Sequence, residues 1–333
     1  MSFSDHPSRR RRPEVSIVVA NWDGGEFLAR CLSALQLSAR RSGRAFELIV
    51  VDDASTDGSA ELVRSRFPNA CLLENPRNLG FARSINRGAA WAKGRVLILA
   101  NNDLVVREEF VESLCRWFGS GAPPVPEGSG KRLFAVSAKT VGWYDGRPNQ
   151  LCMGAAWRGG RVTPAWSDPA EPAACLFAQA GAAAYDAALF RKLGGLSLLY
   201  EPGYWEDYDL SWRADCRGWA QVYDPGAYAL HIGGGSMRRR FGDDGVENMK
   251  ARNHLIFEAA NLSSPRLLAE WVLRLPVALA RDAARPARER RFTRGLAGMF
   301  MRLPGALRQR MALGGESSDL SRLRRFRDHR PSY

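Results

Sequence analysis

The stretch RVLILANNDLVV, from Arg95 to Val106, has the pattern of a buried strand that stops abruptly. Five of its first seven residues are apolar, and Asn101, Asn102 and Asp103 follow before the apolar residues resume. Asn and Asp favour turns and helix caps, so a simple turn is one interpretation. The other is a ligand site at the end of the strand, and the segments around it favour that interpretation.

These segments alternate between strand and helix patterns. Short apolar runs predict strands over 14–22, 46–55, 70–75 and 95–101, and apolar residues at helical spacing predict helices over 26–40, 57–67, 78–94 and 107–118. This order predicts an α/β fold with right-handed crossovers and a doubly wound, mainly parallel sheet. Ligands of such sheets bind beyond the carboxyl ends of the strands, where Asp52, Asp53 and Asp103 lie.

Composition limits the class of protein. The chain has 333 residues, and the 45% that are hydrophobic can form a sizeable core. It contains no run of about 18 uncharged apolar residues, so we expect no transmembrane helix. The N-terminal sequence MSFSDHPSRRRRPE has no apolar segment with a cleavage site, which argues against a secretory signal. Six cysteines without a C-x-x-C pair favour reduced thiols and a cytoplasmic location.

The net charge of +13 is concentrated at the C-terminal end. Residues 263–333 contain 16 arginines, no lysines and 6 acidic residues, a net charge of +10, so the preceding 262 residues carry only +3. We therefore expect a basic mobile N-terminus (1–13), a main domain (14–262) and a basic C-terminal extension (263–333). Because the main domain is near neutral, nucleic acid is not the expected partner, although binding through the basic tail is an alternative.

The C-terminal extension carries apolar residues at helical spacing, with arginines over much of the remainder. Pro276 and Pro304 are expected to kink or end its helices. Basic amphipathic helices can lie in a membrane interface, which predicts peripheral attachment to an anionic membrane surface. The alternative is packing on the main domain or on a partner subunit, which leaves an oligomer open. The apolar positions are Leu267, Leu268, Trp271, Val272, Leu275, Leu279, Phe292, Leu296, Met299, Phe300, Leu303, Leu307 and Met311.

A phosphate-bearing ligand needs neutralising groups that common sequence motifs do not supply here. The chain has neither G-x-G-x-x-G nor G-x-x-x-x-G-K-[ST], so a metal ion is the expected agent. Mg²⁺ and Mn²⁺ bind through one or two carboxylates together with substrate phosphates, which suits Asp103. Asn101 and Asn102 are weaker ligands that can orient waters or ribose hydroxyls. Asp52 and Asp53 either hydrogen-bond a base or ribose, or only cap a turn.

Two further segments contain candidate functional residues. In YWEDYDLSWR, Glu206 and Asp207 either cap a helix or act as a general base, because neighbouring aromatic residues can raise a carboxyl pKa. Asp209 and Arg213 have the i, i+4 spacing of a helical ion pair. In YALHIGGGSM, His231 precedes three glycines that allow close backbone approach, although a lone histidine is more often structural.

Five segments in this order resemble family-2 glycosyltransferases with the GT-A fold, most of all the bacterial rhamnosyltransferase-like branch. The resemblance spans roughly 15–262. It implies that residues 14–262 form a GT-A catalytic domain and that the extension is separate. The segments are VSIVVANWDGGEFLARCLSAL, FELIVVDDASTDGS, NPRNLGFARSINRGAAWAKGRVLILANND, GGLSLLYEPGYWEDYDLSWRADCRGW and HIGGGSM.

The resemblance also implies roles for individual residues. The family's D-x-D motif is NND here, so only Asp103 remains as its metal ligand, and His231 completes the metal or diphosphate site. The family's ED pair falls on Glu206 and Asp207, of which Asp207 is favoured as the base. Gly181, Tyr204 and Trp205 are assigned to the acceptor side. The implied donor-binding residues are Ala20, Asn21, Asp52, Asp53, Asn78, Gly80, Arg83, Asn86, Asn101 and Asn102.

The implied function is transfer of a sugar, with inversion, from a nucleotide-diphosphate donor to a hydroxyl of a saccharide acceptor. The branch favours dTDP-rhamnose, with UDP-sugars next, and Mg²⁺ or Mn²⁺ as cofactor. The basic tail favours a lipid-linked acceptor in cell-envelope polysaccharide synthesis, at the inner face of the plasma membrane. Because inversion needs one displacement, no cysteine nucleophile is expected. The alternative is a catalytically inactive nucleotide-sugar-binding protein, which the reduced NND motif allows.

Overall fold

The structure is a computed structural model that describes residues 12–126, 130–233, 236–313 and 319–326. Most of the predicted mobile N-terminus (1–11), two of the three glycines after His231 (234–235) and the chain end (327–333) lie outside the described residues. The strands are β1 Val15–Asn21, β2 Phe46–Asp52, β3 Cys71–Glu74, β4 Val96–Asn101, β5 Leu104–Val106, β6 Leu133–Gly142, β7 Pro148–Gln150, β8 Cys152–Arg158, β9 Arg161–Ser167, β10 Ala173–Ala174, β11 Ala182–Asp186 and β12 Ala220–His231.

Helices alternate with the first strands and follow one another at the C-terminal end. Among the described residues, every helix is too short or too polar to cross a membrane. The helices are α1 Gly25–Arg41, α2 Ser59–Arg66, α3 Phe81–Trp91, α4 Phe110–Cys115, α5 Ala187–Lys192, α6 Glu206–Cys216, α7 Ser236–Asn261, α8 Pro265–Ala283, α9 Arg291–Phe300, α10 Leu303–Ala312 and α11 Asp319–Arg325.

The main sheet has the strand order β10-β12-β6-β11-β4-β1-β2-β3, with β5 paired to β12 and β7 paired to β6. Strands β4, β1, β2 and β3 are parallel, and β6 is parallel to β12. Strand β11 lies between β4 and β6 and is antiparallel to both. The predicted α/β fold with a mainly parallel sheet is therefore confirmed, and its parallel strands β1, β2 and β4 end at the same edge.

Helices cover both faces of the sheet, as the central strands' continuous apolar character requires. On one face, Leu28 and Leu32 of α1 and Leu114 of α4 are fully buried with Ile17 and Val50 of the sheet. The other face is covered by residues of α3, α5 and α6 that include Ile85, Phe190 and Leu210. Both layers hold the strand ends in fixed positions, which is what a site at that edge needs.

Helix α3 ends earlier than its sequence pattern predicts. It stops at Trp91, and Gly94 lies beyond it in the turn that leads into β4. A Cβ atom at Gly94 would be only 2.6 Å from the backbone nitrogen of Ser16. This glycine is required by the close approach of the turn to β1, and it does not close the helix as predicted.

The C-terminal helices pack on the rest of the chain through much of the predicted apolar stripe. Leu267 and Trp271 of α8 and Leu296 of α9 are buried in a cluster with Trp212 of α6 and Phe257 of α7. Helix α8 continues through the proline at position 276, and the proline at position 304 lies in the first turn of α10. Neither proline ends a helix, because one is accommodated inside α8 and the other occupies a position where its missing N–H is not needed.

A buried carboxylate joins helix α6 to the C-terminal helices. Asp209 is fully buried and forms the predicted ion pair with Arg213, with 2.6 Å between Oδ2 and Nε. Its Oδ1 accepts hydrogen bonds from the Tyr200 hydroxyl at 2.8 Å, from Asn261 Nδ2 at 2.8 Å and from Gln309 Nε2. Arg213 in turn donates to the carbonyl oxygens of residues 193 and 195. One side chain thus fixes α6 relative to α7, α10 and the loop before it.

We expect Asp209→Ala to lower the free energy of unfolding by about 3–5 kcal/mol, because Arg213 then remains buried without its partner. Urea denaturation of the full chain measures this loss. The control is Asp243→Ala, which removes an exposed ion pair with Arg238 and is expected to cost less than about 1 kcal/mol. Equal losses in the two variants would contradict the role assigned to Asp209.

Candidate nucleotide and acceptor sites

A cavity of about 460 Å³ lies beyond the carboxyl ends of β1, β2 and β4. Seven of the ten predicted donor-binding residues line it, so residues far apart in the sequence meet at this edge. These seven are Ala20, Asn21, Asp53, Asn78, Gly80, Asn101 and Asn102.

Asp53 shapes one wall of this cavity by holding the loop before α3. Its Oδ1 accepts the backbone N–H of Leu79 at 2.7 Å, and its Oδ2 accepts that of Gly80 at 2.8 Å. Asn75 donates a further hydrogen bond of 2.7 Å to Oδ1. Gly80 has a φ of 88°, a region that favours glycine, and its α-carbon faces Pro202 across the cavity. Asp53 therefore acts first as an organiser of the loop that lines the cavity.

A chain of side-chain hydrogen bonds links the ends of β4, β1 and β2. Asn102 Nδ2 donates to Asn21 Oδ1 at 2.8 Å, and Asn21 Nδ2 donates to Asp52 Oδ1 at 2.9 Å. Asp52 also accepts the backbone N–H and the hydroxyl of Ser55, at 2.9 and 2.7 Å. Asp52 therefore lies behind the lining of the cavity. Its hydrogen bonds orient the side chain of Asn21 and, through Asn21, that of Asn102, and both asparagines line the cavity.

The structure brings the two predicted metal ligands together. The antiparallel pairing of β5 with β12 places His231 opposite Leu104, next to Asp103. His231 Nε2 lies 3.1 Å from Asp103 Oδ1, and the Asp103 carbonyl oxygen accepts the N–H of Ile232 at 2.9 Å. A carboxylate and an imidazole at this spacing suit a hard or borderline divalent ion. Within the described part of the chain, no group of three or more acidic, histidine or cysteine side chains is placed to hold a metal, so water or a bound phosphate would supply the remaining ligands of such a site.

A second cavity, of about 640 Å³, contains the predicted catalytic pair at the start of α6. Its lining combines carboxylates, aromatic rings and amides, a set that suits a sugar. Trp205 stacks on His254 with 4.2 Å between ring centroids and an interplanar angle of 11°. The lining includes Glu206, Asp207, Tyr204, Trp205, Tyr208, Asn149, Gln150 and Gln179.

Burial changes the acid–base behaviour of this pair. Burial, with a smaller contribution from the neighbouring Asp207, raises the pKa of Glu206 to about 8. Burial likewise raises the pKa of Asp207 to about 6, although the N–H groups of Tyr208 and Ala180 donate to its carboxylate and oppose the rise. Glu206 Oε2 is buried and has no hydrogen-bond partner among the described residues. Burial thus raises the pKa values of both carboxyl groups towards neutral pH, the range in which a general base works.

Three consecutive residues connect the two cavities. Gln179 lines the second cavity, and the N–H of Ala180 donates to Asp207. The carbonyl oxygen of Gly181 accepts the N–H of Asn101 at 2.8 Å, and a Cβ atom at Gly181 would be 2.7 Å from Asn101 Nδ2. Gly181 was predicted on the acceptor side, and the structure places it directly against the donor-side asparagine. The two sites are therefore neighbours that share one piece of backbone.

Two predicted donor-binding residues, Arg83 and Asn86, are not among the described residues that line the first cavity. Arg83 forms an ion pair with Glu201, which does line that cavity, with 2.5 Å between Nε and Oε1. Asn86 Nδ2 donates to the carbonyl oxygen of Leu196 at 2.8 Å, and Asn86 Oδ1 accepts the N–H of Leu196 at 2.9 Å. Its position is set by this hydrogen-bonded pair, which holds the loop before α6. The structure thus gives Asn86 a supporting position away from the first cavity.

The first cavity also contains residues that the sequence analysis missed. Arg240 lies over the ring of Trp22, 4.9 Å from its centroid, on one side of the cavity. Arg252 of α7 and Arg302, just before α10, line another side, and burial together with Arg302 lowers the pKa of Arg252. Arg252 donates to the carbonyl oxygen of Glu201 at 2.6 Å. Basic groups from the C-terminal half therefore face a cavity whose other walls come from the N-terminal half.

The chain is similar in sequence to known glycosyltransferases. Residues 16–126 match the model of glycosyl transferase family 2. The chain is 27% identical over 245 residues to an N-acetylglucosaminyl-diphospho-decaprenol L-rhamnosyltransferase of Mycobacterium tuberculosis, covering 65% of this chain and 75% of the relative.

Solved glycosyltransferase structures share the fold. S. aureus TarS 1–349 in complex with UDP-GlcNAc superposes with a TM-score of 0.57 at 14% identity, covering 96% of this chain and 93% of that one. The mannosyltransferase PcManGT from Pyrobaculum calidifontis, in complex with GDP-Man and Mn²⁺, has a TM-score of 0.52 at 17% identity, with coverages of 90% and 87%. At these identities the similarity establishes the GT-A fold alone.

The pKa of Glu206 leads to a prediction about stability. A folded-state pKa raised above the unfolded value means that stability is lost as pH rises from about 4.5 towards 8. Glu206→Gln removes that loss, so we expect it to raise the free energy of unfolding by roughly 2 kcal/mol at about pH 8 and by much less at about pH 5. Urea denaturation at several pH values measures the difference, with the exposed Glu109→Gln as control. A gain independent of pH would contradict the burial argument.

Proposed function

We propose that this chain, a family-2 glycosyltransferase with a GT-A fold, transfers a sugar from a nucleotide-diphosphate donor in the first cavity to an acceptor hydroxyl in the second, with inversion. The observation that carries this proposal is the joining of the two cavities through residues 179–181. Asp207 lines the second cavity, and Asp103, which pairs with His231, directly follows Asn101 and Asn102 of the first. Two neighbouring sites, one suited to a nucleotide and one to a sugar, fit a single displacement between them.

Asp103 and His231 are the residues that would hold Mg²⁺ or Mn²⁺, since an oxygen and a nitrogen ligand lie 3.1 Å apart. The related fold of PcManGT, whose structure contains GDP-Man and Mn²⁺, supports a divalent ion. When bound, the ion neutralises charge on the diphosphate leaving group. Arg252 and Arg302 line the first cavity and would add positive charge towards the phosphates.

Asp207 would take the proton of the acceptor hydroxyl. The acceptor oxygen forms a bond to the anomeric carbon, the bond from that carbon to the diphosphate oxygen breaks, and the hydroxyl proton moves to Asp207. The N–H groups of Ala180 and Tyr208 orient the accepting carboxylate. Glu206, whose pKa is raised further, would hold a proton and so leave Asp207 ionised near neutral pH.

The donor and acceptor follow from the similarity to a diphospho-decaprenol rhamnosyltransferase. We infer dTDP-rhamnose or a UDP-sugar as donor, and a lipid-linked saccharide as acceptor. This assigns the enzyme to cell-envelope polysaccharide synthesis at the inner face of the plasma membrane.

Membrane attachment would use only one residue of the predicted stripe of α8, Val272, together with two exposed residues outside that stripe. Much of the predicted stripe packs on the protein, but Val272, Leu273 and Val277 are 53%, 76% and 51% exposed. They lie on one helical face, and the arginines at positions 266, 274 and 281 lie on the same helix. Exposed apolar side chains beside arginines fit an anionic bilayer, where each arginine adds roughly 1 kcal/mol.

The assignment of Asp207 as the base predicts that its removal lowers turnover but leaves donor binding unchanged. Asp207→Asn should lower kcat by roughly 10² to 10⁴-fold and leave the donor Kd within about twofold, because the base acts on the acceptor. In the wild type, kcat/KM should fall as pH drops below about 6, where Asp207 becomes protonated. The assay follows transfer from a panel of dTDP-, UDP- and GDP-sugars to a short-chain lipid-linked saccharide, with Mg²⁺ or Mn²⁺.

Glu206→Gln is the matched variant for this assay, and it should retain more of kcat than Asp207→Asn. If Asp207→Asn keeps near wild-type kcat while Glu206→Gln does not, the other carboxylate is the base. If no donor is turned over by the wild type, the transferase proposal fails as a whole.

The metal assignment predicts that Mn²⁺ strengthens nucleoside diphosphate binding to the wild type and not to Asp103→Ala. Calorimetric titration with UDP and dTDP, with and without Mn²⁺, measures this difference. We expect Mn²⁺ to strengthen binding of the nucleoside diphosphate to the wild type by about tenfold, because the ion would link the diphosphate to Asp103. Asp243→Ala, an exposed acid far along the chain, is the control. A metal effect of equal size in Asp103→Ala would rule out Asp103 as a ligand.

The membrane proposal predicts that Leu273→Ser with Val277→Ser reduces cosedimentation with phosphatidylglycerol vesicles by at least about tenfold. Leu37→Ser, an exposed leucine on α1, is the control. Added salt should release part of the wild-type protein. Truncation after residue 262 is a poor test, because it would uncover Trp212 and Phe257. Equal binding by all variants, or none by any, would leave α8 as a packing element only.

A further inference from the structure

A third cavity, of about 350 Å³, lies between α7, the C-terminal half of α8 and the start of α9. Four arginines line it, Arg161, Arg281, Arg285 and Arg291, against a single carboxylate, Asp282. We refer to it as the arginine groove. A lining with four cations and one anion indicates a site for an anionic ligand.

The single carboxylate offsets only part of the positive charge of the groove: it remains ionised and interacts electrostatically with Arg285. Asp282 accepts the N–H and the hydroxyl of Thr293, at 2.8 and 2.7 Å, at the start of α9. Arg161 is held by the buried Glu258, 2.6 Å away. Arg281 and Arg285 are exposed, and neither forms an ion pair with a carboxylate among the described residues. Two cations in the groove are therefore open to a ligand.

Arg291 occupies the junction between the arginine groove and the cavity of the catalytic pair. Arg291, Ala251 and His254 line both cavities. Arg291 approaches Asp244 and Glu247 only loosely, at 3.4 and 3.9 Å, and its Nε is buried without a hydrogen-bond partner in the described part of the chain. The N–H group at Arg291 Nε can therefore donate a hydrogen bond to an oxygen atom of a ligand that reaches the junction.

The surface therefore changes character in a fixed order. The carboxylate pair and the aromatic and amide lining come first, and the arginine groove adjoins them. The exposed apolar residues of α8 lie on the same helix as Arg281, and Arg285 follows just after the end of that helix. A lipid-linked saccharide has the same order of sugar, phosphate and hydrocarbon. We propose that the arginine groove binds the phosphate or diphosphate that joins the acceptor saccharide to its lipid, an inference that rests on the proposed function.

The same chemistry is available from the headgroup phosphates of a bilayer, so the test separates the two sources. The first arm measures calorimetric binding of geranyl diphosphate to the full chain without divalent ion, with geraniol as the uncharged comparison. The second arm measures cosedimentation with phosphatidylglycerol vesicles. The groove variant is Arg281→Gln with Arg285→Gln. The charge-matched control is Arg30→Gln with Arg308→Gln, two exposed arginines outside the three cavities.

We expect the groove variant to bind geranyl diphosphate about tenfold more weakly than the wild type, since two charge-assisted contacts are lost at an exposed site. The control should stay within twofold, geraniol should bind weakly to every protein, and UDP binding with Mn²⁺ should be unchanged in the groove variant. Unchanged thermal unfolding of the groove variant establishes that its fold is intact.

Three results would overturn the proposal. These are no binding of geranyl diphosphate by the wild type, equal weakening in the control, or a groove variant that loses only vesicle binding, which would assign the groove to headgroups. The binding measurement needs no turnover. A failure of the transferase proposal, seen as no activity with any donor, is therefore distinguishable from a failure of the groove assignment.

Discussion

The buried carboxylate of Asp209 is the interaction on which the position of the catalytic pair depends. It fixes α6 to the hydroxyl of Tyr200, to Asn261 of α7 and to Gln309 of α10, while Arg213 extends the network to the loop before the helix. Residues 204 and 205, directly before α6, adopt φ values of 71° and 77°. Such left-handed conformations persist only where surrounding contacts hold them. Here Asn253 Nδ2 donates to the Tyr204 carbonyl oxygen at 2.9 Å, and the Trp205 ring stacks on His254.

The network also links the C-terminal helices to both proposed sites. Gln309 reaches Asp209, Arg302 faces the donor cavity, and Arg291 lies at the edge of the acceptor cavity. An extension that looked separable by charge thus contributes to both sites. Its arginines divide into those that line cavities and those that remain at the surface, which a net charge of +10 over residues 263–333 does not distinguish.

Sequence patterns could predict the parts of the structure that depend on local order. The strands that end in Asp52, Asp53 and Asp103 were predictable because apolar runs and strand–helix alternation determine which edge they share. The parts that depend on tertiary packing were not. An amphipathic pattern identifies Leu267 and Val272 as one stripe, yet the first is buried in the cluster with Trp212 and Phe257 and the second is exposed. Sequence patterns likewise could not predict the supporting roles of Asp53 and Asn86, because their side chains hydrogen-bond to backbone groups that are distant in the sequence.

The central claim is a single displacement in which Asp207 is the base and no residue forms a covalent bond to the sugar. The most direct test is the anomeric configuration of the product, read by NMR from the one-bond carbon–proton coupling at the transferred sugar's anomeric centre. The account predicts a configuration opposite to that of the donor. Retention of the donor configuration would contradict it, because retention requires a second displacement or a front-side mechanism that this arrangement of donor ligands and base does not provide.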